Sequence, residues 1–230
     1  MIRRVKMKLS NETVDVLKNF STINQNILVK EGTKLRTMST MKNILGEAVI
    51  TEAFPKEFGI YDLNEFLGVL TLTNDPELEF NHDSFLTVSG GYSKIKYFFS
   101  DPSILVTPPE TFNAPDTDIE VTVKKSALAN VMKASAVMQL PDVVISGTNA
   151  HDVKMTVTDL KNTTSHEFTE KLEVGDFIVG SDFKFNYKVE NLKVIPGDYV
   201  VNVSTTALVS SWENSNKKIQ YWIALEQPSD

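Results

Sequence analysis

The chain has 230 residues, of which 41% are hydrophobic and 23% charged, with a formal net charge of -7. These proportions argue against wholesale disorder, and the acidic balance argues against attachment to DNA or anionic lipid by bulk charge. With no cysteine, disulfide frameworks, thiolate catalysis and Cys-ligated zinc drop out together.

The opening MIRRVKMKLS is basic, but no apolar run of a secretory signal follows it. No stretch approaches the roughly 18 apolar residues that span a bilayer, so no membrane partner is expected. Ser10 is placed to cap a first helix running to about Phe20. Val14, Val16, Leu17 and Phe20 form its apolar face, opposite Asn11, Asp15, Lys18, Asn19 and Thr22. A second helix is expected from Asp62, burying Leu63, Phe66, Leu67 and Leu70. Four of the nine prolines fall in SDPSILVTPPETFNAPDTD, residues 100–118. Proline fixes φ and removes a donor, so this stretch reads as an extended linker between two halves of similar size. A third helix follows Lys125–Ser126, burying Leu128, Val131 and Met132 and exposing Asn130 and Lys133. A short fourth helix is expected from Tyr187 to Val194, stopped by Pro196 and Gly197. Elsewhere, segments such as KIKYFFS, DVVIS, DYVVNVS and IQYWIALE read as short strands.

The halves echo each other. A shift of 115 residues superposes Val16 on Val131, Leu17 on Met132 and Lys18 on Lys133. With one helix near the start of each half and another midway, an internal duplication is expected. Charge is even: residues 7–110 carry 9 basic and 14 acidic side chains, residues 111–230 carry 11 and 16. Neither half is a charged tail.

Signals for catalysis are missing. His82, His151 and His166 form no HxxxH, HExxH or HxH spacing, so no metal site is expected. Gly90–Gly91 lack the Lys-Ser/Thr of a phosphate loop, and a turn explains them. The acidic group Asp75, Glu77 and Glu79 lies in loop-like sequence and reads as solvated charge. Carboxylate pairing for acid–base work stays open as an alternative at this level.

Several blocks carry a resemblance. They are MKLSNETVDVLKNFSTIN (7–24), GIYDLNEFLGVLTLTND (59–75), DPSILVTP (101–108), LKVIPGDYVVNV (192–203) and YWIALE (221–226). In this order they resemble the DNA polymerase sliding clamps of T-even-type bacteriophages, related in fold to proliferating cell nuclear antigen. The resemblance runs from Met7 to about Glu226.

It implies an α+β DNA-clamp fold with two similar domains, each with two helices packed on antiparallel sheet. Three subunits would join head to tail in a ring that encircles duplex DNA without sequence preference. The implied layout is an N-terminal extension at 1–6 (Met7 being the alternative start), clamp domains at 7–107 and 119–230, and a connector at 108–118. Implied partners are the viral DNA polymerase, an ATP-driven clamp loader, late-transcription factors and further copies of the chain. No catalysis, cofactor or metal is expected, and the implied location is the cytoplasm of the infected bacterial host.

Residue by residue, the resemblance gives three surfaces. Lys18 and Lys133 are expected to face DNA, then Lys193, then Lys124 and Lys125. Sliding needs weak, phosphate-directed contacts, which lysines supply. Residues 10–21, 61–71, 125–138 and 187–194 sum to zero charge, so the expected lining is less negative than the body and not strongly basic. A partner-peptide pocket beside the connector is implied at Leu45, Ile104, Leu105, Val106, Pro108, Phe112 and Leu225. Ile104–Val106 has an alternative as a buried strand holding the linker down. A subunit interface is implied at Tyr97, Phe98 and Phe99 of one copy and Phe168 and Leu172 of the next. The alternative to a clamp is a two-domain β-rich virion structural protein, which would not be expected to carry the first two blocks in order.

Overall fold

A computed structural model describes residues 5–148, 152–174 and 182–227. Residues 1–4 of the N-terminal extension, with Arg3 and Arg4, and His151 lie outside the described residues. The chain divides into two compact units, Met1–Glu110 and Thr111–Asp230.

The first unit runs β1 (Val5–Met7), α1 (Asn11–Ile23), β2 (Ile27–Val29), β3 (Gly32–Met38), β4 (Ile44–Phe54), β5 (Phe58–Ile60), α2 (Leu63–Thr71), β6 (Glu77–Phe80), β7 (Phe85–Gly90) and β8 (Ser93–Phe98). One antiparallel sheet has the order β1-β6-β7-β8. β3 pairs with β4 and β2 with β5. Val5 and Lys6 are therefore part of a sheet, and Lys6 Nζ lies 2.6 Å from Glu77 and 2.9 Å from Glu79.

Local sequence sets both helix starts. Ser10 Oγ accepts from Thr13 N, and Asp62 accepts from Glu65 N at 3.0 Å. α1 extends past Phe20 to Ile23 and buries Thr13, Val16, Leu17, Phe20 and Ile23, while Val14 is only half-buried. α2 buries Leu63, Phe66, Leu67 and Leu70, and Phe66 meets Tyr97 of β8 edge-on, ring centroids 5.1 Å apart. That face of β8 is core; its outer face carries Lys94, Lys96 and Phe98.

The second unit runs β9 (Ile119–Val123), α3 (Lys125–Met138), β10 (Asp142–Thr148), β11 (Asp152–Thr158), β12 (Phe168–Lys171), β13 (Glu173–Val174), β14 (Phe183–Lys188), β15 (Tyr199–Ser204), β16 (Val209–Asn214) and β17 (Ile219–Ala224). One sheet has the order β12-β11-β10-β14; in the other, the strands of this unit run β13-β9-β15-β16-β17. Trp212, Tyr187, Tyr199 and Tyr221 are wholly buried between them, with Tyr187 and Tyr199 each 5.9 Å from the Trp212 ring.

The expected fourth helix is not there. Tyr187 and Lys188 end β14, paired with Val143 and Asp142 of β10, and only Val189–Asn191 makes a 3-10 turn. The reason is tertiary: Tyr187 is drawn into the core, and Lys188 gives its ammonium to the buried Asp142 carboxylate. No side chain caps the turn that follows. The described residues thus hold three α-helices, two in the first unit and one in the second.

Candidate nucleic-acid interface and partner surfaces

Lys18 and Lys133 stand on the exposed faces of α1 and α3. Lys18 has company: Asp15, one turn back, lies 3.6 Å from its ammonium, and both side chains are mostly exposed. Such a surface pair contributes little to stability, about 0–1 kcal/mol, but it weakens the field the lysine projects. Around Lys133 the exposed neighbours on α3 are Ala129, Asn130, Ala136 and Val137, without a carboxylate. Asn130, one turn before Lys133, donates to Glu170 of β12 at 2.8 Å. The exposed residues of α2 are Asn64, Glu65, Gly68 and Thr71, again without a cation.

The remaining lysines are placed differently. Lys124 is the half-buried residue preceding α3 and offers no side-chain cap. The helix start is served instead by Asp198, which accepts from Lys125 N at 2.7 Å. Lys125 is exposed in the first turn. Lys193 is exposed but sits in the loop after the 3-10 turn, not on a helix.

The residues assigned to a partner pocket divide by burial. Leu45 and Leu105 are core. A Cβ on Gly59 would meet Leu105 Cδ1 at 2.7 Å and Ser100 O at 2.6 Å, so the chain after β8 is pressed onto β5 where only glycine fits. Val106 is held by Asn26, which accepts from its amide at 3.0 Å, and by Asn24, which donates to its carbonyl. Ile104 is exposed. Pro108 lines a small groove with Leu28, Lys30, Lys34, Arg36 and Thr107. Arg36 Nη1 donates to Pro109 O at 2.7 Å and Glu47 pairs with both Lys34 and Arg36, so the cations of this rim are largely neutralised. Leu225, in the second unit, is buried, with its amide donating to Leu208 O. Phe112, also in the second unit, lies against Trp222. Arg36, Leu28 and Trp222 carry no sequence signal for these contacts, which only the folded chain makes within each unit.

β8 ends the β1-β6-β7-β8 sheet of the first unit and β12 ends the β12-β11-β10-β14 sheet of the second. Their outer backbone groups offer a template for another chain. Phe98 is 63% exposed, whereas Tyr97 and Leu172 are 8% exposed and serve their own cores. Phe99 is half-buried against Phe58, with Lys56 Nζ 4.9 Å above its ring. Phe168 lines an open groove with Asn130, Lys133, Ala134, Val137 and Met138 of α3. Sequence reasoning missed two exposed apolar residues, Val137 near the end of α3 at 75%, which shares the groove with Phe168, and Leu72 after α2 at 68%. Each breaks the polar pattern of its helix end, which was the available signal.

Among the described residues no three His, Asp or Glu side chains gather where they could hold a metal ion, and no helix is long and apolar enough to cross a membrane. His82 stacks on Phe85 with ring centroids 4.0 Å apart.

Comparison with known proteins identifies this arrangement. A family profile described as DNA polymerase processivity factor matches residues 8–107, and one described as gp45 sliding clamp, C terminal, matches 120–227. The sliding clamp of Vibrio phage KVP40 is 33% identical over 227 residues, covering 96% of this chain and 99% of the relative. The chain belongs to the sliding clamp family. The clamp of Enterobacteria phage T4 is 28% identical, covering 97% of this chain and 98% of the relative. Among solved structures, A. fulgidus PCNA bound to the C-terminal region of FEN-1 matches with a TM-score of 0.71 at 12% identity, covering 99% of each chain. PCNA from Thermococcus kodakaraensis matches with a TM-score of 0.68 at 15% identity, covering 97% of this chain and 99% of that one. At such identities these structures speak to the fold, which is the two-domain clamp fold of PCNA. The clamp is a DNA polymerase processivity factor of the T4-like phage type, and the virion-protein alternative has no observation left in its favour.

Proposed function

We propose that three copies of this clamp close head to tail around duplex DNA and hold the phage polymerase on its template. The observation that carries this is the 33% identity to a phage sliding clamp along 96% of the chain. Domains at 7–107 and 119–230, joined by a connector at 108–118, form each subunit. β8 of one copy meets β12 of the next, a heterologous contact that closes when the rotation permits. Phe98 and Phe168 lie at that junction, with Leu72 and Val137 beside them. The exposed faces of α1 and α3 turn to the DNA. Lys133 and Lys18, helped by Lys125, Lys124 and Lys193, attract phosphate without reading sequence. The role is topological and non-enzymatic, with no cofactor.

Partners bind on the connector side. Leu45, Ile104, Leu105, Val106, Pro108, Phe112 and Leu225 support or line a surface for short apolar peptides from partner proteins. The PCNA structure bound to the C-terminal region of FEN-1 supports a peptide mode for this fold. The polymerase, an ATP-driven loader and late-transcription factors use it in the cytoplasm of the infected host.

The test is retention after loading with the cognate loader and ATP. The clamp should stay on circular primed DNA and run off linear DNA with free ends. Equal retention on both would overturn the topological reading.

A further inference from the structure

The β1-β6-β7-β8 sheet of the first unit turns one face to its core and leaves the other open. Tyr97 of β8 is buried, so Lys94, Lys96 and Phe98 stand on the open face, all three exposed. Opposite them on β7 are Ser89, Thr87 and Phe85. Aromatic rings gather at one end of this face. His82, in the loop before β7, is exposed and stacks on Phe85, with ring centroids 4.0 Å apart and planes at 21°. Phe85 meets Phe98 at 5.4 Å, and Lys96 Nζ lies 5.1 Å from the Phe85 ring centroid. At the other end Tyr92, in the turn between β7 and β8, is fully exposed. The carboxylates of the next strand, Glu77 and Glu79, already have Lys6 as their partner, at 2.6 and 2.9 Å.

From Tyr92 to Phe98 the strand spans about 20 Å, at about 3.4 Å per residue, with cations between aromatic ends. Exposed rings stack bases, and ammonium groups between them follow a phosphate backbone. A duplex keeps its base faces covered, so rings of this kind select single strands. We propose that this face binds single-stranded DNA without sequence preference. Lys94 and Lys96 take phosphates. One base stacks on the outer side of His82, which Phe85 holds in place, and others stack on Phe98 and Tyr92. Thr87 and Ser89 are small and neutral, so the strand can lie close to the sheet. A further chain pairing with β8 uses its backbone edge and leaves this face open. Asp83, exposed beside His82, keeps the affinity low. The site uses neither Lys18 nor Lys133 and does not depend on the closed ring.

The experiment follows fluorescence anisotropy of a labelled oligothymidylate of about twelve nucleotides, titrated with the full-length clamp at low salt without loader. H82A and Y92A should each weaken binding by about five- to 150-fold, the worth of one stacked base, while H82F keeps the wild-type affinity. K94A with K96A should flatten the dependence of log affinity on log salt by about 1.4, near 0.7 for each phosphate of a single strand. K18A with K133A should leave the oligothymidylate affinity unchanged. These positions are exposed, so thermal midpoints should stay at the wild-type value. Wild-type affinity in H82A, Y92A and the K94A/K96A protein would overturn the proposal, as would no binding by the wild type. Loss of binding in K18A/K133A alone would place the strand on the helix lysines instead. Equal binding of an oligoglutamate peptide would make the face a general polyanion surface and also overturn it. None of these outcomes bears on retention after loading on circular primed DNA, which tests the ring separately.

Discussion

The Glu52 carboxylate on β4 accepts from the Thr13 hydroxyl of α1 at 2.5 Å, and also from the Ser10 amide. The sheet thereby caps the helix that carries Lys18. Burial by itself would raise the Glu52 pKa, but hydrogen bonds from Thr13, Ser10 and Thr51 outweigh it and hold the carboxyl down to about 2. A depressed carboxylate contributes stability above its unfolded value near 4.5, lost as pH falls towards about 2. Glu52→Gln should lower stability at pH 7 by about 1–2 kcal/mol, the range of a lost cap. Urea midpoints of the two proteins should converge as pH falls through that window; a constant gap would refute the assignment.

Gly68 lies in the interior of α2 on its exposed face, and a Cβ there would meet nothing within 4 Å. Gly68→Ala should therefore stabilise by about 0.5–1 kcal/mol, read as a higher thermal midpoint. Gly68→Lys should keep much of that gain and add a cation to a face that has none. If α2 faces DNA, the lysine variant should also strengthen retention at low salt.

Lys18 is neutralised in part by Asp15, and no carboxylate flanks Lys133 among the exposed residues of its helix. Lys133→Ala should therefore impair loading more than Lys18→Ala. Removing both should flatten the dependence of log retention on log salt by up to about 2, near 0.9 for each phosphate no longer neutralised. Sedimentation should show the oligomer intact. An unchanged salt slope would assign the DNA-facing surface elsewhere.

Val137→Glu and Leu72→Glu place a charge beside the proposed junction of β8 and β12, on residues that serve neither core. Each should shift sedimentation towards monomer while leaving the stability of the unit within about 0.5 kcal/mol of wild type. Tyr97→Ala should behave differently. That ring is buried against Phe66, so its loss should unfold the unit at lower temperature, at a cost of about 3 kcal/mol or more.

Much of this protein follows from local sequence. Ser10 and Asp62 cap helices three residues ahead, a signal confined to one turn, and both starts were legible. The same holds for much of the apolar faces of α1 and α3, where Val16, Leu17, Phe20, Leu128 and Val131 are buried, while Val14 and Met132 are only half-buried. The ordered blocks from Met7 to Glu226 carried the family. Pairings between residues far apart in sequence were beyond that reach. The segment at Tyr187 reads as helix alone but is a strand end, because pairing with Val143 and burial against Trp212 outweigh weak local propensity. Asp198 caps α3 from 73 residues away, and Phe112 finds Trp222 at the far end of its unit. Helix caps, polar faces and the family are properties of short windows and their order, so the residues alone carry them. Which apolar residues are core and which stand free is settled only in the folded chain. Burial is a property of what folds back onto a residue, and that places Leu105 and Tyr97 inside and leaves Phe98, Leu72 and Val137 exposed.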